Sequence, residues 1–401
     1  MSNIKLERKV VWLAALIQLA NVLEFMIILP LGPDLTVAIN IPSSQMGLLG
    51  GIYTFAAAFA AILIAPYLDR FDRKKASLVL LVGLVVSTYL CSMAYDTYSM
   101  LAARTLAGLF GGPLTAVSLS MVIDVVPLSR RGRSIALVTS AFTVSSVFGI
   151  PLALELSQAF DWRMPFIAIS IFGAIVAVAI FIMLPSMTDH VDKTDGKHKK
   201  VPILSLLKKP EIRTSYILLS MISFAQFMLF AGTINYFIFN LGFPRDDLSS
   251  IYIIGGFISF VAMMVTGRII DRYGNRLLSV VTVVFYVVVL SDGFLHEPFL
   301  PVTAVFSLFM LSAAIMGVIT STISSEAPGD KERAAYMSIQ STCRHLAAGT
   351  GGVVSSVILT TNMDGSLNNI HILAYFSIAC IASLPFLIFL LRKQLNKKQL
   401  A

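Results

Sequence analysis

Twelve apolar runs divide the chain, at 11–31, 45–66, 77–95, 99–122, 134–157 and 163–185, then at 214–240, 247–270, 277–295, 299–325, 335–360 and 370–391. Each is close to the ~20 residues that an α-helix needs to cross the hydrocarbon core of a bilayer. Polar positions are confined to the short segments between runs, except for the long stretch from Met187 to Arg213, which holds Lys193, Lys197, Lys199, Lys200, Lys208 and Lys209. The pattern predicts an all-α polytopic membrane protein of twelve transmembrane helices. It divides as a six-helix bundle over 1–186, a cytoplasmic linker over 187–212 and a second six-helix bundle over 213–401. Within the linker, Val201 to Leu207 is expected to form a short helix at the membrane surface.

Composition agrees with this and narrows it. Of 401 residues, 57% are hydrophobic and 13% charged, which leaves nothing for a separate water-soluble domain. A net charge of +8 would suit a nucleic-acid partner, but the basic residues sit in clusters between apolar runs, so none is expected. Alternate loops, counted from the N-terminus, hold twenty-six of the thirty Lys and Arg, and the opposite loops hold only Arg163 and Arg245. By the positive-inside rule both termini and the linker face the cytoplasm. The first run is too long for a signal peptide and no small-residue cleavage site follows it. Short loops and the lack of a glycosylation sequon suit a bacterial inner membrane. Cys91, Cys343 and Cys380 all lie in apolar runs, so no disulfide framework is expected.

The two halves echo each other at an offset of 202. Glu24-Phe25-Met26 aligns with Gln226-Phe227-Met228, Asp69-Arg70 with Asp271-Arg272, Arg131 with Arg333, and Gly149 with Gly351. Two related six-helix halves with a site between them are a recurrent transporter plan. Runs three, six, nine and twelve carry no ionisable residue in their cores and are expected to face lipid.

Three segments carry a family resemblance. The loop Ala65-Pro66-Tyr67-Leu68-Asp69-Arg70-Phe71-Asp72-Arg73-Lys74-Lys75, with its echo at Gly267 to Arg276, resembles the signature Gly-x-Leu-x-Asp-Arg-x-Gly-Arg-Arg/Lys of the major facilitator superfamily, with Ala65 and Asp72 in place of the two glycines. Leu101, Arg104, Gly108, Gly111 and Gly112 resemble its second motif. Phe148-Gly149-Ile150-Pro151 and the following Asp161-Trp162-Arg163 resemble its drug:proton antiporter branch, although Ala153 and Glu155 depart from the small residues usual there. The resemblance implies two pseudo-symmetric six-helix bundles working by alternating access. It also implies a conformational latch at the cytoplasmic face involving Asp69, Arg73, Asp124 and Asp271, with Arg73 reaching Asp124 at the end of span four. A bend or close packing is expected at Gly149 and Pro151.

Ionisable groups inside the apolar runs are expensive, at least about 2.5–3.5 kcal/mol for a charge at the bilayer centre, and so point to function. Glu24 lies roughly 20 Å into span one at 1.5 Å per residue, on a stripe with Gln18 and Asn21. Burial disfavours a carboxyl's charged form, so such a group can hold a proton in one state and release it in another. Glu24 and Arg104 are therefore the proton-coupling candidates, although Arg104 is near enough to the outer face to snorkel to it. Glu155 is expected to be wetted at the outer end of span five. Arg344, beside His345, needs a carboxylate, carbonyls or an anionic substrate. Gln18, Asn21, Gln226, Asn235, Gln340 and Arg344 are the substrate-cavity candidates.

No Walker A, H-E-x-x-H or G-x-S-x-G motif occurs and the five histidines are scattered, so neither an enzyme nor a metal site is expected. The sequence predicts a secondary transporter without cofactors, coupled to protons. It would act as a monomer in the lipid bilayer on small molecules, exporting amphipathic or cationic compounds; uptake of a metabolite such as a sugar or amino acid is the alternative.

Overall fold

The computed structural model describes residues 4–68, 71–188, 206–329 and 332–400, so Asp69 and Arg70, most of the linker and its expected surface helix at 201–207 lie outside or largely outside it. Eleven described helices are long and apolar enough to cross a membrane. The remaining long helix, Arg333–Ile358, has 26 residues. At 1.5 Å per residue it reaches across a bilayer core. Gln340, Arg344, His345 and several hydroxyl residues make it the most polar of the set.

Contacts separate the chain into two compact units, Met1–Ile41 with Ile52–His198, and Pro42–Gly51 with Lys199–Ala401. The first contains α1 (Ile4–Ile27), most of α2 (Met46–Leu68), α3 (Arg73–Ser92), α4 (Thr97–Val125), α5 (Arg130–Ala159) and α6 (Met164–Met183). Its core forms where α3 lies against α4 and α6, and α1 against α4, α5 and α6. Leu13, Ile17, Leu81, Leu84, Val117, Met121 and Ile180 fill that core. Glycine decides how closely α2 and α4 approach: a Cβ on Gly108 would stand 2.3 Å from the Tyr53 carbonyl oxygen, and one on Gly112 2.3 Å from that of Ala57.

The second unit contains α7 (Pro210–Asn240), α8 (Leu248–Tyr273), α9 (Asn275–Phe294), α10 (Val302–Ser325), α11 (Arg333–Ile358) and α12 (Ile370–Lys398). Its internal pairing repeats that of the first: α9 packs on α10 and α12, and α7 on α11. A two-stranded hairpin, Thr360–Thr361 with Leu367–Asn368, joins α11 to α12. The first residues of α2 and the turn before it pack within this unit, a division that differs from a cut at the linker alone. Ser43 Oγ donates to the Gly365 carbonyl at 2.8 Å, the Ser44 amide to Thr361 Oγ1 at 2.8 Å, and Gly47 and Gly352 meet backbone to backbone.

The exterior of both units is apolar along α3, α6, α9 and α12: Val79, Val86, Ile175, Val178, Ile182, Val284, Val288 and Phe386 are all exposed. So continuous an apolar surface needs lipid around it, and these are the four helices whose cores lack ionisable residues. The chain is a multi-pass integral membrane protein.

The glycine packing has a measurable consequence. Gly112→Ala forces a Cβ into the α2 backbone and is expected to destabilise by about 1–3 kcal/mol. Gly132→Ala, at an exposed helical position with nothing within 4 Å, is expected to stabilise by about 0.5–1 kcal/mol, the helix-interior cost of glycine. Thermal unfolding of the two variants in detergent should move in opposite directions.

Candidate functional site

The site is built where two stripes meet. On α1, Gln18, Asn21 and Glu24 recur every third residue; on α4, Arg104, Gly108, Gly111, Thr115 and Ser118 recur at four and three, so each set shares a face. The helices run antiparallel, and the rungs pair in order. Asn21 Nδ2 donates to the Gly111 carbonyl at 3.1 Å and to Thr115 Oγ1 at 2.9 Å. Ser118 Oγ donates to Gln18 Oε1 at 3.3 Å. Gly111 leaves room for the Asn21 side chain and the Tyr53 hydroxyl, whereas Gly108 faces the α2 backbone.

At the end of this ladder nearest the C-terminus of α1 the Arg104 guanidinium forms an ion pair with Glu24 Oε1, both side chains being 0% exposed. Arg104 Nη1 also donates to the Glu24 carbonyl at 2.9 Å and Nη2 to that of Phe25 at 3.3 Å. Its cationic centre lies 4.7 Å from the ring of Tyr53, a favourable position over the negative face of an aromatic ring. The Tyr53 hydroxyl donates to Asn21 Oδ1 at 3.0 Å, which ties α2 into the same network. The other carboxylate oxygen, Glu24 Oε2, is buried and has no hydrogen-bond partner among the described residues. Arg104 thus turns inward to acceptors on α1 and does not snorkel.

Tyr53, Thr115 and Ser118 are the members of this network that sequence reasoning missed. A single tyrosine among apolar residues carries no periodic signal, and its role depends on α2 crossing both α1 and α4.

A second cluster lies where the start of α3 meets the end of α4. Arg73 Nε meets Asp124 Oδ2 at 3.0 Å, the contact expected between the loop and α4. Asp72, standing where the motif carries glycine, caps α3 by accepting from the Lys74 amide at 2.9 Å. It also accepts from the Met187 amide at 2.9 Å and from Ser186 Oγ at 2.6 Å, while Lys74 Nζ donates to the Leu184 carbonyl at 2.6 Å. An Asp immediately before a helix is a capping signal in its own right. The equivalent position of the second half, Gly274, has φ +77° and ends α8 in a different way. Asp69 lies outside the described residues, and although the backbone of Asp271 belongs to α8, its side chain is outside them too.

The remaining candidates are dispersed. Gln226 is partly buried on α7, and its Nε2 has no hydrogen-bond partner among the described residues. Asn235 sits nine residues further on, 1% exposed, and donates to Ser43 Oγ at 2.9 Å. Arg344 Nε donates to Ser223 Oγ at 3.3 Å, and Gln340 is half-buried one turn before it. Glu155 is exposed near the end of α5. Gly149 closes a π-type turn over Ser145–Gly149 just before Pro151, and a Cβ there would stand 2.1 Å from Leu23 of α1. No group of three or more His, Cys, Asp or Glu that could hold a metal occurs among the described residues.

The chain has recognisable relatives. The model of the Major Facilitator Superfamily matches residues 14–352. An uncharacterized MFS-type transporter of Bacillus subtilis (strain 168), YwfA, is 26% identical over 341 residues, covering 82% of this chain and 81% of its own. Among solved structures, a bacterial homolog of the human lysosomal transporter Spinster superposes with a TM-score of 0.73 at 15% identity over 97% of both chains. The nucleoside transporter NupG gives 0.72 at 14% identity over 97% of this chain and 99% of its own. The human organic anion transporter MFSD10 gives 0.66 at 18% identity over 97% and 99%. At these identities the structures show a shared fold.

The Asp72 cluster sets a pH dependence. Burial works against charge on Asp72, but hydrogen bonds from Ser186 and from the Met187 and Lys74 amides, together with the charge of Lys75, outweigh it and hold the carboxyl below the usual carboxylate range. A depressed folded-state value contributes stability above the unfolded value, and that stability is lost as pH falls through the folded one. Asp72→Ala is expected to lower stability by about 0.5–2 kcal/mol at neutral pH. The difference from wild type should narrow below about pH 4. Thermal unfolding of both proteins across that range measures it, and a gap that does not change with pH would show that the charge of Asp72 is immaterial.

Proposed function

We propose that this chain, which belongs to the Major Facilitator Superfamily of transporters, is a proton-coupled exporter of small amphipathic compounds. The observation that carries this reading is the fully buried pair of Glu24 and Arg104. A carboxylate sealed from water is stable as an anion only while a cation stays against it. When Glu24 takes a proton it loses its attraction for Arg104, and the guanidinium is left with carbonyl acceptors and the Tyr53 ring. Protonation therefore changes which arrangement of α1, α2 and α4 has the lower energy, and through Asn21 and Thr115 the change reaches the polar ladder between α1 and α4. A group that is neutral in one arrangement and charged in another is what coupling to a proton gradient requires.

Direction rests on the span-five pattern at Gly149 and Pro151, where a π-type turn and a proline interrupt regular helix. The cytoplasmic cluster of Asp72, Arg73 and Asp124, with Asp69 and Asp271, serves as a latch whose breakage accompanies the change of access. The protein works as a monomer in a bacterial inner membrane, with both termini in the cytoplasm.

Glu24→Gln keeps the shape of the side chain and an oxygen for Arg104 but cannot exchange a proton. In proteoliposomes with an imposed pH gradient, a transported compound should collapse the gradient with wild type and leave it intact with Glu24→Gln. A panel of lipophilic cations, neutral drugs, aryl carboxylates and sugars covers the substrate classes, and the orientation of gradient required separates export by antiport from uptake by symport. Full uphill transport by Glu24→Gln would remove Glu24 as the coupling group.

A further inference from the structure

Two arginines, Arg104 and Arg344, lie within the apolar runs away from their last few residues, and the structure provides for them differently. Arg104 is neutralised by Glu24. Arg344, midway along α11, has the Ser223 hydroxyl as its hydrogen-bonding partner and forms no ion pair among the described residues. No buried acidic group stands ready for it: Glu7 is held by Arg130 at 3.0 Å, Glu24 by Arg104, and Glu211 lies 3.5 Å from Lys398.

The face that carries Arg344 is not the lipid face. Ser341, Arg344, Ala348, Gly352 and Ser355 follow one another at intervals of three and four and so form one stripe. Towards the outer end this stripe is buried, with Ser355 0% exposed and Gly352 against the backbone of Gly47. The opposite side of α11 exposes Leu346 and Val357. Arg344 therefore projects from the protein-facing side of the helix, where the stripe opens and Ser341 and Arg344 themselves become accessible. On α7, Gln226 stands one turn beyond Ser223 on the same face, and its Nε2 is a buried donor without an acceptor among the described residues. This part of the second unit offers hydrogen-bond donors and positive charge that no acidic group among the described residues pairs with.

An unneutralised guanidinium at membrane depth is costly. Its planar set of N–H donors fits the paired oxygens of a carboxylate, sulfonate or phosphate. We infer that Arg344, together with Ser223 and Gln226, receives an anionic oxygen group of the transported compound, so that the substrate is an amphipathic anion and not a cation. The inference rests on the transporter reading for its substrate, but it does not depend on proton coupling.

The full-length protein in detergent is titrated calorimetrically with 2-naphthoate, 2-naphthalenesulfonate, neutral 2-naphthamide and 2-naphthylmethylammonium, and in separate arms with lysophosphatidylglycerol and inorganic phosphate. At least one anionic probe should bind about tenfold more tightly than the amide and the ammonium, the scale of one charge-assisted hydrogen bond. R344Q should remove that preference, R344K should keep part of it, and S223A should weaken it several-fold. An Arg344-dependent preference confined to lysophosphatidylglycerol assigns the anion to a lipid headgroup, one confined to phosphate to a free inorganic anion, and one for naphthoate or the sulfonate to a soluble amphiphile. All three support oxyanion reception. Equal binding of anionic and neutral probes, tighter binding of the ammonium, no saturable binding of any anionic probe, or a preference that survives in R344Q overturns it. The wild-type arms decide even if the Arg344 variants do not fold. Because the readout is binding without a gradient, its result and that of the Glu24→Gln gradient assay can fail independently.

Discussion

A charge that has left water must be met by another charge or by dipoles, and the interior of the first unit is arranged around that requirement. Glu24 and Arg104 are both removed from solvent, and the helices that hold them are shaped to the pair. Gly108 and Gly112 let α4 lie against the α2 backbone, and Gly111 leaves room for the Asn21 side chain. Asn21 bridges from α1 to Gly111 and Thr115, and Tyr53 covers the guanidinium while donating to Asn21. Removing either charged group would leave the other uncompensated in a low-dielectric interior.

The two halves share a packing plan but not this solution. At the repeat offset of 202, Glu24 corresponds to Gln226 and Arg104 to Phe306. Phe306 is buried in an aromatic group with Phe230, Phe237 and Tyr252, whose ring lies 4.9 Å away. Where the first half spends polar side chains on a neutral pair, the second fills the same place with rings and keeps its intramembrane charge on α11 instead. Similar scaffolding thus carries unlike interiors in the two halves.

How much of this was legible in the sequence depended on the range of the interaction. The helices and their lipid-facing members followed from local pattern, because apolar run length is fixed by bilayer thickness. Glu24 stood out for the same reason: a carboxyl within an apolar run is costly wherever it points. The partner of Arg104 was not legible, since Glu24 is 80 residues away and the choice between inward pairing and snorkelling turns on how closely α1 approaches α4. Asp72 read as a departure from a motif because the family pattern expects glycine there, yet in the structure it caps one helix and anchors residues 186 and 187. Asn235 looked like a cavity residue by type; the structure ties it to Ser43, a contact that required the start of α2 to pack with the second unit.

The π-type turns in α5 and α7 alter the phase of those helices. Each places one more residue in a turn than an α-helix holds; that of α7 is its last turn, while in α5 everything beyond Gly149 is rotated by about 100° relative to an uninterrupted helix. A single helical wheel drawn through α5 therefore assigns the wrong side to every residue after Gly149, and Glu155, which stands exposed, falls in that displaced half. The partner helix α11 is regular α-helix throughout. Residues that align by number between α5 and α11 therefore part company in azimuth beyond that point, and the pseudo-symmetry of the sequence and that of the side-chain directions are no longer the same symmetry.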